Sequence, residues 1–145
     1  MYISRNILDG KLNRLQANIV RMTSMVEQMI EQAVYALNTR SFETARQLIA
    51  HDAEVNALRY EIEQQALLIL ATQQPTAQDL RTVIATIHIA TELERIGDHA
   101  TGVAQLMLRD PNVCTSLTSP YIIKMSKRVR KMLRRCVDAY IAKDV

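Results

Sequence analysis

The stretch "ALLILATQQPTAQDLR", residues 66–81, contains the longest apolar run in the chain, Ala66–Ala71, followed by a polar segment around Pro75. Six apolar residues fall far short of the roughly 20 that a membrane span requires. Pro75 steers Gln74 away from helical dihedrals. Thr76 and Asp79 then stand at capping-box spacing, with Asp in the usual Glu position. The stretch therefore predicts a helix that stops near Thr72 and another that starts at Ala77.

Outward from this punctuation the pattern is helical on both sides. Towards the N-terminus, Ala45, Leu48, Ile49, Val55, Leu58, Ile62, Ala66 and Ile69 form one stripe, with Ser41 as N-cap and Glu43 in the first turn. Before Ser41, "NTRS" closes an earlier helix predicted from about Asp9 to Thr39. Its stripe is Leu12, Leu15, Ile19, Met22, Val26, Met29, Ile30, Ala33 and Leu37. Towards the C-terminus, the third helix runs from Ala77 to about Leu108 and ends at "RDPN". Composition agrees: 145 residues, 48% hydrophobic, with three Gly, three Pro, no Trp and one Phe. Few breakers and many good helix formers specify an all-α chain large enough for a real core. Three helices on short loops predict an antiparallel three-helix bundle, about 45 Å long at ~1.5 Å per residue.

A linker, "PNVCTSLTSP", precedes a fourth helix expected from Tyr121 to about Lys143. The expected organisation is a three-helix repeat over 1–109, a linker over 110–120, and the first helix of an incomplete second repeat over 121–145. Shifting the first helix by 103 residues supports duplication. Met22 falls on Met125, Val26 on Val129, Met29 on Met132, Val34 on Val137 and Ala36 on Ala139. The stripe Met125, Val129, Met132, Leu133, Cys136 and Tyr140 needs cover. This helix is therefore expected to pack on the bundle or on another copy of the chain.

Charge is divided unevenly. Residues 1–119 carry ten Lys or Arg against thirteen Asp or Glu, a net of −3, and residues 120–145 carry eight against two, a net of +6. The chain is thus not a uniformly basic nucleic-acid binder. "MYISRNILDG" has no apolar core of a signal peptide, and Cys114 and Cys136 form no CxxC or zinc-like pattern. A soluble protein of the reducing cytoplasm is expected.

The most charged segment is "ATELERIGDHATG", residues 90–102, with Glu92, Glu94, Arg95, Asp98, His99 and Gly97. On a helical wheel Glu94 and Asp98 continue the line of Leu80, Ile84, Ile87 and Thr91. Leu93, Ile96, Ala100, Val103, Ala104 and Met107 gather on the other side. The core-facing side is therefore expected to change along the helix, leaving both carboxylates outward. Like charges at i and i+4 repel by a few tenths of a kcal/mol, and Gly97 costs about 1 kcal/mol against Ala. These costs suggest a surface that something approaches closely. Paired carboxylates suit a hard or borderline cation. A solvated acidic face is the plainer reading, with Arg95 beside it. A di-metal oxidase would want Glu-x-x-His on its helices, and His51, His88 and His99 all lack Glu three positions before them. No phosphate loop, nucleophile elbow or Cys-His pair is evident, so an enzyme is not expected.

"HDAEVNALRYEIEQQALLILATQQPTAQDLR" followed by "IATELERIGDHA" resembles the PhoU family, regulators of bacterial phosphate uptake and phosphate signalling. The resemblance rests on Asp52 and Asn56, on Gln74, Pro75, Ala77, Asp79, Leu80 and Arg81, and on "LERIGD" from Leu93 to Asp98. It implies two tandem three-helix repeats and a non-enzymatic cytoplasmic adaptor. Such an adaptor restrains the phosphate-starvation response and limits phosphate import. Its implied partners are the phosphate ABC transporter ATPase and a sensor histidine kinase, with membrane association only through them, and it is expected to be a homodimer. The resemblance also implies a metal site of iron, zinc, magnesium or manganese. Glu94 and Asp98 would form it with Asp52 and Asn56, Asn being a weaker ligand than Asp. Partner contact is assigned on the same ground to Asp79, Arg81, Glu92 and Arg95. Complete members carry two more helices with a second acidic motif, so this chain is expected to be cut short. The competing class is a nucleic-acid or anionic-surface binder using Lys124, Lys127, Arg128, Lys131, Arg134 and Arg135. Without interleaved aromatics or a groove-reading motif, no nucleic-acid partner is expected.

Overall fold

The computed structural model describes residues 2–117 and 119–143; residues 1, 118, 144 and 145 of the expected units lie outside it. All described elements are helices: α1 (Tyr2–Thr39), α2 (Phe42–Gln73), α3 (Ala77–Arg109), a short α4 (Val113–Leu117) within the linker, and α5 (Pro120–Ala142). Ser41 caps α2 by accepting from the backbone N–H of Thr44 at 3.3 Å. Gln74 ends α2 in the left-handed region, with φ 44°. The expected capping box at Thr76 does not form. The Thr76 hydroxyl instead donates to the Asp79 carboxylate at 3.0 Å, because that carboxylate is turned inward by Arg5.

α1 begins at Tyr2, about two turns before the predicted start at Asp9. Leu8 is buried and Arg5 reaches Asp79 on α3 at 2.6 Å, so tertiary contact extends the helix past Gly10 despite its ~1 kcal/mol propensity cost. Cross-helix bonds fix the directions. Lys11 meets Thr72 and Asn18 meets Gln65, so α1 and α2 are antiparallel. Asp52 meets Thr101 and Arg5 meets Asp79, so α3 runs back antiparallel to α2.

The core is a heptad seam. On α1 it comprises Leu8, Leu12, Leu15, Ile19, Met22, Val26, Met29, Ala33 and Ala36, alternating steps of four and three. On α3 the buried line is Asp79, Val83, Thr86, Ala90, Leu93, Gly97, Ala100, Ala104 and Met107. The buried side of α3 therefore does not change along its length. Leu80 and Ile84 are exposed, while small Thr86, Ala90 and Gly97 face inward. The expected shift of face came from weighting large side chains. Small residues hold the seam here because neighbouring helices approach closely. A Cβ on Gly97 would lie 3.5 Å from Met29 and 3.8 Å from Val55. Gly97 faces α1 and α2, not an external molecule.

α5 docks on α1, antiparallel to it, through one edge of the predicted stripe, Leu133 and Tyr140, and the residues beside that edge. Val137 is buried, and Leu133 and Tyr140 pack on the core. Arg134 pairs with Glu27 at 2.6 Å and Arg130 with Glu31 at 3.0 Å. The Tyr140 hydroxyl is hydrogen-bonded to Thr86 of α3. Met125, Val129, Met132 and Cys136 remain exposed.

Candidate functional site

The acidic segment sits at the seam of α2 and α3. Asp52 occupies a position of the α2 heptad that an apolar residue would normally fill, between buried Leu48 and Val55. Its carboxylate accepts from Asn56 Nδ2 at 3.1 Å along the helix and from Thr101 Oγ1 at 3.1 Å across the seam. Burying a carboxylate beside a core is costly unless its lone pairs are satisfied, and these two donors supply that. Thr101 is itself buried.

Glu94 and Asp98 lie on the same line of α3 as Thr101, at steps of four and three. Glu94 is half-buried and Asp98 exposed, and neither makes an ion pair or hydrogen bond among the described residues. Arg95 does not neutralise them. It turns to Glu92, with Nη1 at 3.0 and 3.1 Å from the two carboxylate oxygens. An exposed i,i+3 pair of this kind contributes little to stability, but it leaves Glu94 and Asp98 with uncompensated charge.

The predicted site residues thus do not form one cluster. Asp52 bonds Asn56 along α2 and, across the seam, Thr101 of α3, which sequence reading missed, while Glu94 and Asp98 stand on the Thr101 line of α3 with no bond to any of the three. The position of Thr101, seven residues after Glu94 and three after Asp98, was the available signal. Glu92 and Arg95 form a separate exposed pair. Asp79 is only 3% exposed and is engaged by Arg5 and Thr76, so it is an internal anchor and not a docking residue. Arg81 is exposed and lines the groove between α3 and α5.

Burial by itself would raise the Asp79 carboxyl. The hydrogen bonds from Arg5 and Thr76 and the charges of Arg5 and Lys143 outweigh it, so the pKa lies below the ordinary value. Burial raises Tyr140, partly offset by its bond to Thr86. On α5, the hydrogen bond and charge of Glu27 raise Arg134. Arg134 is therefore committed to the α1 contact, which removes it from the basic face considered for anionic surfaces.

The donors at the acidic seam are carboxylate, amide and hydroxyl oxygens, which suit hard cations. Among the described residues, however, no three His, Cys, Asp or Glu side chains converge closely enough to hold a metal ion. Asp52 already accepts two hydrogen bonds. The chain's own donors therefore fit a cation only in part, through Glu94 and Asp98. No helix among the described residues is long and apolar enough to cross a membrane.

A family model described as "PhoU domain" matches residues 19–107. The chain is 31% identical over 144 residues to the "phosphate-specific transport system accessory protein PhoU homolog" of Clostridium acetobutylicum, covering 99% of this chain and 66% of that protein. It is 34% identical over 136 residues to the protein of the same description from Zymomonas mobilis, covering 94% of this chain and 57% of that one. The crystal structure of PhoU from Pseudomonas aeruginosa superposes with a TM-score of 0.82 at 29% identity, covering 94% of this chain and 66% of that one. The chain thus spans 57–66% of the length of the curated relatives described.

Proposed function

The chain belongs to the PhoU family, and from that premise we propose that it is a non-enzymatic accessory regulator of phosphate transport. In this reading it acts in the cytoplasm as an adaptor. It contacts the ATPase of the phosphate ABC transporter and a sensor histidine kinase, and restrains both phosphate import and the phosphate-starvation response. Membrane association would come only through these partners. The observation that carries the reading is the pair Glu94 and Asp98. It lacks partners within the described chain, shares a line of α3 with Thr101, which bonds Asp52, and lies inside the matched segment.

An acidic patch with no internal partner suits a basic docking surface or a cation whose remaining ligands come from water or a partner. Glu94 and Asp98 would hold such an ion, with iron, zinc, magnesium or manganese as candidates, and it would neutralise the repulsion between them. The test compares the wild-type chain with Glu94→Ala/Asp98→Ala in pull-downs of the transporter ATPase and the kinase, with elemental analysis of chelator-free protein alongside. Association lost in the variant supports the reading. Wild-type protein that binds neither partner would overturn it. Metal lost in the variant assigns the ion to this face, and wild-type protein without metal leaves it as a protein-docking face.

A further inference from the structure

α1 and α2 enclose a small cavity of about 130 Å³. Its walls are Met25, Gln28 and Met29 of α1 and His51, Glu54 and Val55 of α2. The register set by Lys11–Thr72 and Asn18–Gln65 brings Gln28 opposite Val55 and Gln32 opposite His51. Met25 and Met29 stand one turn apart on α1, and His51 and Glu54 one turn apart on α2. Each helix thus turns two potential donors towards the same space.

Packing accounts for the methionines but not for the polar groups among them. His51 and Glu54 make no hydrogen bond or ion pair among the described residues. The same stretch of α1 leaves Gln32 Oε1 buried without a partner, which few buried polar atoms tolerate. Water would satisfy the imidazole and the amide, but it gains little from two thioethers, whose sulfurs are weak acceptors. Soft metal ions reverse that preference. Thioether and imidazole select Cu(I), whereas magnesium and calcium require oxygen. No thiolate lines the cavity to favour zinc. The donors are neutral apart from one carboxylate, Glu54, so a single positive charge would be balanced and a double one would not.

We propose that the cavity between α1 and α2 is a binding site for a soft monovalent cation, Cu(I) or its analogue Ag(I). The thioether sulfurs of Met25 and Met29 and an imidazole nitrogen of His51 hold the ion, and Glu54 balances its charge. The proposal depends neither on the phosphate reading nor on the Glu94–Asp98 face, whose oxygen donors suit another class of ion. Met29 Sδ lies towards α3, 3.5 Å from where a Cβ on Gly97 would stand. An unbranched thioether with three rotatable bonds re-aims its sulfur with little strain, and the bare backbone at Gly97 leaves it room.

The test uses the 145-residue chain carrying Cys136→Ser, so that the exposed thiol does not compete for the ion. With carbon-13 in the methionine ε-methyl groups, a single equivalent of Ag(I) should shift the Met25 and Met29 signals, assigned through Met25→Leu and Met29→Leu. The signals of Met22, Met125 and Met132 should stay in place. Competition with bicinchoninate under argon should then show a single Cu(I) per chain. Met25→Leu nearly conserves volume and His51→Ala changes a half-buried residue, so both should keep the parent's helicity by circular dichroism. Each should weaken Cu(I) binding by about tenfold or more, since losing even an outer-shell partner of a metal costs that much. Glu94→Ala/Asp98→Ala should bind Cu(I) as the parent does, which separates this result from the phosphate reading. A chain that takes up no Cu(I) overturns the proposal. So do Ag(I) shifts confined to other methionines, or a Cu(I) affinity unchanged in Met25→Leu and His51→Ala.

Discussion

Met22, Val26 and Met29 of α1 are buried, whereas Met125, Val129 and Met132, their counterparts 103 residues later on α5, are exposed. The side chains are the same and the spacing is the same. The difference is that α1 is covered by α2 and α3, and α5 offers its equivalent line to solvent. An amphipathic repeat therefore states that a face needs covering without stating what covers it. The two helices meet through a second pair of equivalent lines: Thr23, Glu27 and Ile30 on α1, and Ser126, Arg130 and Leu133 on α5. The ion pairs cross in a regular way. Glu27 bonds Arg134 and Glu31 bonds Arg130, while the same offset maps 27 onto 130 and 31 onto 134. Acids at two positions of one helix and bases at the matching positions of the other turn a like-charge contact into an attractive one.

The largest expected effect falls on the buried member of the comparison. Met29→Ala removes a fully enclosed side chain beside Val55 and Gly97 and should lower the unfolding free energy by about 2–5 kcal/mol. Chemical denaturation checks it. A smaller, local effect should follow from Glu27→Ala, because Glu27 is buried beneath α5 and satisfied by Arg134. Hydrogen exchange should rise about tenfold or more over α5 while α2 and α3 keep their protection, since a helix on the edge opens by itself. Equal loss across the chain would show that α5 is not a separable element.

α1 has another anchor at its start, Arg5 on Asp79, and there pH enters. The folded pKa of Asp79 is depressed. The stability it contributes is therefore present above its unfolded value near 3.8 and is lost as pH falls through the lower folded value. Asp79→Asn should reduce Tm by a few degrees at neutral pH and leave a smaller fall on acidification below about pH 4. An unchanged acid limb would mean that Arg5 holds no charge-dependent contact in solution.

Legibility in the sequence varied with the kind of signal. The α2–α3 break could be read because Pro75 and the polar residues around it act locally. The bounds of α3 followed for the same reason. The inner face of α3 could not be read, because Thr86, Ala90 and Gly97 carry little hydrophobic weight yet lie on the heptad line, while bulky Leu80 and Ile84 lie off it. α5 was misleading in the opposite way: its most apolar line is exposed, and its docking line includes Ser126 and Arg130. At the acidic seam the carboxylates were visible as a motif. Thr101 was not, because its role depends on Asp52 across the seam. Gly97 tests this account directly. A Cβ there meets only ordinary van der Waals neighbours at 3.5 Å and beyond, so Gly97→Ala should stabilise the chain by up to about 1 kcal/mol through helix propensity. A loss of stability would show that the α1–α3 approach is tighter than the seam can accommodate.

The smallest expected effect is the most discriminating. Met132→Ala deletes the counterpart of Met29, but most of that side chain already lies in water, at 64% exposure against 2%. Transfer free energy follows the area removed from solvent, so an exposed methionine has little to lose on truncation. In dilute solution, where copies are apart, the unfolding free energy should change by less than about 0.5 kcal/mol. A cost near that of Met29→Ala would mean that α5 buries this line in the isolated molecule and that the α1–α5 contact is rotated from the one described. A small cost in dilute solution that grows with protein concentration would place the missing cover on a second copy, since only an associating species links stability to concentration.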